Sequence, residues 1–97
     1  MSGKSFIAQL RAKPGRREEL IALQGEMKSL AFEYEPGVVV YELFQSDDDP
    51  DLFQVVATFK DDAACDTHMS IDFHDRLVPP ILDCVDGEME IAFYRSV

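Results

Sequence analysis

FQVVATFKDDAACDTH, residues 53–68, is a strand that passes through a two-aspartate turn straight into a short helix. Phe53, Val55, Ala57 and Phe59 fall on one side of a period-two strand. Asp61 or Asp62 is placed to cap the helix that follows, and His68 closes it. Any pocket should border on this corner.

Upstream, Val38–Phe44 is a β-branched strand, VVVYELF, apolar on both sides for most of its length, so neither face should meet much water. The polar run Ser46–Asp51 joins it to the strand at residues 52–59 as a hairpin. Its clustered acids lack the glycine and terminal glutamate of a calcium loop, which leaves a solvated turn. Before the hairpin, Leu20, Leu23, Met27, Leu30 and Tyr34 recur at three- and four-residue steps and predict a helix from Arg16 to about Tyr34. Gly25 inside it signals close packing or simple tolerance. Glu35-Pro36-Gly37 ends the helix, because the residue before proline is pushed out of the α region. The first strand is Ser5–Ala12, with Phe6, Ala8, Leu10 and Ala12 on one face, and Pro14 after it suits the first turn of a helix.

Downstream, a helix is predicted from about Asp61 to Met69, and Ser70 is placed to cap another. Phe73, Leu77 and Ile81 form the stripe of that second helix, which should reach Leu77, break at Pro79-Pro80 and give way to a turn near Cys84. Glu88–Arg95 is the last strand, with Met89, Ile91 and Phe93 opposite Glu90, Ala92 and Tyr94. The order is β-α-β-β-α-β, an α+β ferredoxin-like sandwich with one antiparallel four-stranded sheet. Residues 1–97 form one domain, since so short a chain cannot hold two cores. Helices cover one face of such a sheet. The other face, also apolar along its middle strands, calls for a second copy of the chain, and a homodimer joined through sheet faces is expected.

Nineteen acidic residues against nine basic ones give a formal charge of -10, and no cationic cluster exceeds Arg16-Arg17. That balance argues against nucleic acid and anionic membranes, whose phosphates need dense positive charge, and for a solvated acidic surface. The start MSGKSFIAQL has an apolar run too short for a signal peptide, and no stretch is long enough to span a bilayer. Cys65 and Cys84 show no CxxC or metal-like spacing, which fits two free thiols in a reducing compartment. A cytoplasmic protein is expected, although sequence alone leaves a bridge between the two cysteines open.

A set of landmarks resembles the antibiotic biosynthesis monooxygenase family from Ser5 to Tyr94. They are Lys13-Pro14-Gly15, Glu35-Pro36-Gly37 with Tyr41 beyond it, Asp49-Pro50 before Phe53, Phe59 with Asp61 and Asp62, Ala63-Ala64 followed by His68, and Ser70 through Phe73 and His74. The resemblance implies a dimeric α+β barrel with a pocket in each subunit between sheet and helices. It also implies either oxygenation of a quinol or polyketide phenol by O2 without metal or flavin, or, in another branch, haem degradation. The chain departs from that family on its central strand. Phe59 stands where typical members have tryptophan, Ala57 where glutamate is common, and Val55 where the phenol-oxidising members have asparagine. The sequence holds no Trp and no Asn at all.

His68 is the candidate catalytic residue, because imidazole can take a phenol proton at neutral pH. The plainer alternative is a helix-terminal histidine bonded to carbonyls or to the dimer partner. Tyr41 and Tyr94 could each hold a phenolic ligand by hydrogen bonding, or serve as sheet residues at the barrel seam. Phe53, Val55, Phe59 and Phe73 are expected to line the cavity. His74 reads as a surface or helix-packing residue, and six residues from His68 it makes no metal pair. Arg11 is expected to meet Glu42 or Glu90 across the sheet. Cys65, among Asp61, Asp62 and Asp66, has nothing to activate it as a nucleophile. The functional expectation is a monooxygenase acting on a small electron-rich aromatic with no cofactor and no metal. Its alternative is a dimeric barrel that binds a hydrophobic small molecule or partner without turnover.

Overall fold

β1 (Lys4–Arg11) and β3 (Leu52–Phe59) are the two central strands of the sheet, paired antiparallel from Lys4 with Phe59 to Arg11 with Leu52. β2 (Val38–Gln45) flanks β3 and β4 (Glu90–Arg95) flanks β1, giving the order β2-β3-β1-β4. The computed structural model describes residues 3–97; Met1 and Ser2, which the single-domain expectation also covered, lie outside the described residues. Three helices complete the chain: α1 (Arg17–Tyr34), α2 (Asp62–Ser70) and α3 (Asp72–Asp83). The architecture is the expected α+β ferredoxin-like sandwich, with its second helical segment divided in two.

The period-two reading of the central strands sets the core. Phe6, Ala8 and Leu10 of β1 and Phe53, Val55, Ala57 and Phe59 of β3 are all buried on the face that the helices cover. From α1 the core receives Leu20, Met27 and Ala31, and from α3 it receives Phe73, Leu77 and Ile81. The α1 stripe is rotated slightly from the sequence reading. Gln24 is buried on it, Leu23 and Leu30 are half-buried, and Tyr34 is 61% exposed. No atom lies within 4 Å of where a Cβ on Gly25 would sit, so that glycine is tolerated and makes no close contact.

Several local expectations are corrected. α3 runs unbroken through Pro79 and Pro80. The carbonyls they leave unpaired belong to Asp75 and Arg76, both exposed, so water can satisfy them while Phe73, Leu77 and Ile81 hold the helix against the core. Ser70 ends α2 and donates to the Asp66 carbonyl; α3 is instead preceded by Ile71 in an extended conformation. Pro14 lies in a turn closed by Gly15 at φ 80°, before α1 begins, and β4 starts at Glu90 rather than Glu88. Arg11 pairs with Asp49 at 2.7 Å, because the hairpin turn folds back beside the end of β1, and Glu42 is taken by Lys28.

β2 is an edge strand and is wetter than its composition predicts. Val39 and Phe44 are 58% and 54% exposed in the single chain. A register shift between Val38 and Val40 turns Val39 outward. On the sheet face that carries no helix, Ile7, Val40, Phe44, Val56 and Tyr94 alternate with Gln9, Gln54 and Glu90. No described helix is long and apolar enough to cross a membrane.

Candidate functional site

The corner after β3 is built by capping. Asp61 adopts an extended conformation and its carboxylate accepts the Ala64 N–H at 2.8 Å, which starts α2 and carries Cys65 and His68 round to its inner face. β2 enters directly beside that helix. A Cβ on Gly37 would lie 2.5 Å from the Ala64 Cβ, so only glycine allows this approach. The Lys60 N–H donates to the Gly37 carbonyl at 2.8 Å and fixes the contact. Glu35, just past the end of α1, is thereby brought against His68.

The Glu35 carboxylate and the His68 Nδ1 are 2.8 Å apart, and both residues are buried, His68 completely. The carboxylate can only accept here, so neutral His68 carries its proton on Nδ1 and leaves a lone pair on Nε2. Glu35 Oε1 and His68 Nε2 are buried without any hydrogen-bond partner in the protein. Aromatic rings enclose the imidazole: Phe59 at 5.1 Å, Tyr41 at 5.7 Å and Phe6 at 6.1 Å between centroids, with His74 edge-on at 4.9 Å.

His68 forms part of the wall of a cavity of about 140 Å³ between the sheet and the helices. Gln24, Tyr41, His68 and His74 are its polar residues; Phe6, Ala8, Met27, Val55, Met69, Val78, Ile81, Leu82, Met89 and Ile91 are the apolar ones. No charged side chain lines it. The Tyr41 hydroxyl donates to Gln24 Oε1 at 3.2 Å. Burial first, and the Glu35 charge second, push the Tyr41 phenol above its ordinary pKa, so Tyr41 stays a hydrogen-bond donor. Burial, and then the charge that His68 carries when protonated, push His74 below the ordinary imidazole value, with a smaller opposing effect of Asp75.

Of the residues singled out in the sequence, the cavity brings together His68, Tyr41 and Val55. Phe59 stands behind the His68 ring. Phe53, buried opposite Leu10 on β1, is core away from the cavity. Phe73 packs on Tyr34 at 6.4 Å in an outer groove beside α1. Tyr94 pairs with Ser5 and faces the helix-free side of the sheet, so it cannot reach the cavity, because successive strand residues point to opposite faces. Glu35, Gln24 and His74 were missed. The signal for Gln24 was its place on the α1 stripe, between Leu20 and Met27. Glu35 was visible only as part of a helix-ending motif, and His74 faces inward because it shares a helix face with Val78 and Ile81, four and seven residues on.

Neither thiol joins the site. Cys65 and Cys84 are free and buried, and burial pushes both above the ordinary cysteine range. Among the described residues no group of three His, Cys, Asp or Glu side chains could hold a metal ion. The cavity cannot enclose a haem either, since its volume is close to that of a cavity holding one benzene and a porphyrin joins four pyrroles.

Three solved structures are similar over nearly the whole chain. A conserved protein from Methanosarcina mazei Go1 is 25% identical, with a TM-score of 0.93 over 100% of this chain and 95% of its own. A protein described as an antibiotic biosynthesis monooxygenase is 28% identical, with a TM-score of 0.86 over 97% of this chain and 98% of its own. A protein from Shewanella oneidensis is 26% identical, with a TM-score of 0.88 over 98% of this chain and 91% of its own. No curated protein matches the sequence. The family profile described as antibiotic biosynthesis monooxygenase matches residues 5–78, most of the chain, and with these likenesses it shows that the protein belongs to the antibiotic biosynthesis monooxygenase family.

Proposed function

We propose that the protein is a monooxygenase that oxidises a quinol or other electron-rich phenol with O2. The observation that carries this reading is the His68 imidazole in the cavity wall, its Nδ1 held by Glu35 and its Nε2 without a partner. A phenol hydroxyl supplies the donor that Nε2 lacks. As the proton moves to Nε2, His68 becomes an imidazolium beside the Glu35 carboxylate, and that pairing stabilises the charge as it develops. The ring, now a phenolate, is rich enough in electrons to combine with O2 at an unsubstituted para carbon or, in a quinol, at an unsubstituted ortho carbon. Loss of water then leaves the quinone: one oxygen atom stays on the ring, the other leaves as water, and the substrate has supplied every electron. Tyr41 and Gln24, in the same wall, help to position the ring. The exposed Val40, Phe44 and Tyr94, with the half-buried Ile7 and Val56 between them, support a homodimer that closes over the helix-free face of the sheet. The two buried thiols support a reducing compartment such as the cytoplasm.

Oxygen uptake with a panel of phenols and quinols, corrected for autoxidation without protein, tests the reading. His68→Phe should lower the rate about 100-fold or more, the usual contribution of a positioned base. Equal rates for the variant and the parent protein would remove His68 from the mechanism.

One observation favours a second reading, that the barrel binds a hydrophobic molecule without turnover. The inner face of β3 is apolar throughout, with Phe53, Val55, Ala57 and Phe59. Native mass spectrometry of protein purified from cells would then show a retained ligand and the uptake assay would show none of the expected activity.

A further inference from the structure

The cavity sets its own limits on what can enter, in volume, in charge and in the number of polar contacts. About 140 Å³ is close to the roughly 150 Å³ of an engineered apolar cavity that holds one benzene. A second fused ring has no room inside and must project past Leu82 and Ile91, which are 45% and 41% exposed at the edge of the lining. No arginine or lysine reaches the wall to meet an anionic substituent. The Glu35 carboxylate lies directly behind His68, and the chain as a whole carries a charge of -10. Both raise the free energy of a negative ligand. His74, the other imidazole in the wall, is held below its ordinary pKa by burial and so adds no cation at neutral pH. Of the two buried acceptors without a partner, His68 Nε2 and Glu35 Oε1, only the one on His68 belongs to a residue of the cavity wall.

We infer that the site selects a neutral phenol of a single ring, its hydroxyl donated to His68 Nε2, and rejects both polycyclic and carboxylated aromatics. The inference rests on the proposed phenol chemistry for its ligand class and goes beyond it in fixing ring number and charge.

Isothermal titration calorimetry of the intact protein at pH 7.5 with 4-methylphenol, 2-naphthol, 9-phenanthrol and 4-hydroxybenzoate separates these features. The methyl group of 4-methylphenol blocks the para carbon, so this probe reports binding without turnover. The expected order is 4-methylphenol first, 2-naphthol about 10-fold weaker, a difference typical of one misfitting apolar group. 9-Phenanthrol and 4-hydroxybenzoate should be at least about 100-fold weaker, the latter because a buried charge without a partner is costly. Met89→Ala, which removes a half-buried wall residue, should bring 2-naphthol up to the affinity of 4-methylphenol. Binding of 9-phenanthrol or 4-hydroxybenzoate as tight as that of 4-methylphenol, or no binding of any probe, overturns the inference. The expected binding order without oxygen uptake on 2,6-dimethylphenol, whose para carbon is open, overturns the oxygenase reading and supports the selectivity. Rapid oxidation of 1-anthrol, a three-ring phenol whose para carbon is open, does the reverse.

Discussion

Removing His68 should damage the fold far more than removing both members of the pair it belongs to. Glu35 and His68 are buried together at 2.8 Å, and neither has another hydrogen-bonded side-chain partner. Breaking a buried pair by deleting one partner typically costs about 3–5 kcal/mol, because the survivor is left desolvated. His68→Phe strands the Glu35 carboxylate in this way, whereas Glu35→Ala strands only the Nδ1 N–H of a neutral imidazole and should cost about 1–3 kcal/mol. In a domain of this size each kcal/mol moves Tm by about 4–8 °C, so His68→Phe should melt at least about 12 °C lower and Glu35→Ala at least about 4 °C lower. The double variant Glu35→Leu/His68→Phe replaces the pair by apolar groups of similar bulk. Its phenyl ring enters a nest already formed by Phe6, Tyr41 and Phe59, and it should lie within about 1 kcal/mol of the parent protein or above it. Urea unfolding of the four proteins at one protein concentration measures the coupling, expected near the top of the usual range, about 3 kcal/mol. Single variants that each cost under about 1 kcal/mol, or a double variant that costs their sum, would refute the claim that the two residues act as one buried unit.

Three more predictions follow from neighbouring geometry. Gly37→Ala drives a Cβ to 2.5 Å from Ala64, and should destabilise the protein by about 1–3 kcal/mol in urea unfolding and slow oxygen uptake by displacing Glu35; an unchanged unfolding midpoint counts against the close approach. His74 has a folded pKa below its unfolded value of about 6.5, so the unfolded chain takes its proton first. The stability contributed by neutral His74 is therefore complete above about pH 6.5 and is lost as the pH falls through that value toward the folded pKa. His74→Gln should flatten this part of the stability curve, and NMR titration of the His74 ring should show its pKa rising in His68→Phe. Cys65 and Cys84 should react with a thiol reagent only after denaturation, and rapid labelling of either in native protein would contradict their burial.

The sheet was legible because its two central strands alternate with a period of two and β2 is β-branched, and the Phe53–Phe59 alternation alone determines which face of β3 enters the core. The C-terminal half of α3 was not legible. Pro79 and Pro80 break local rules, and only the packing of Leu77 and Ile81 on the core, a tertiary effect, keeps the helix intact. His74 lies beside the Phe73–Leu77 stripe, in line with Val78, and nothing in the spacing says that this flank meets a cavity. Tyr94 was misassigned for another reason: alternation gives two faces but does not say which one the helices cover at an edge strand, and β4 lies wholly exposed in the single chain. Glu35 could not be found from spacing, because it meets His68 across 33 residues of sequence through the fit of Gly37 against Ala64.

That fit links the fold to the chemistry. A buried imidazole nitrogen without a partner costs free energy comparable to a lost hydrogen bond, and folded proteins rarely leave such a group orphaned except where it serves a task. His68 could have been relieved of that cost by one more polar neighbour. Instead, every ring around it presents an aromatic face or edge, while Tyr41, the nearest hydroxyl-bearing one, donates its proton to Gln24. Glu35 fixes Nδ1 as the donor and so ensures that the unsatisfied nitrogen is the basic one. An apolar cavity with a single unpaired acceptor is complementary to an apolar ring with a single donor. A ligand that supplies it gains a hydrogen bond which water, entering a space with few other polar partners, makes poorly.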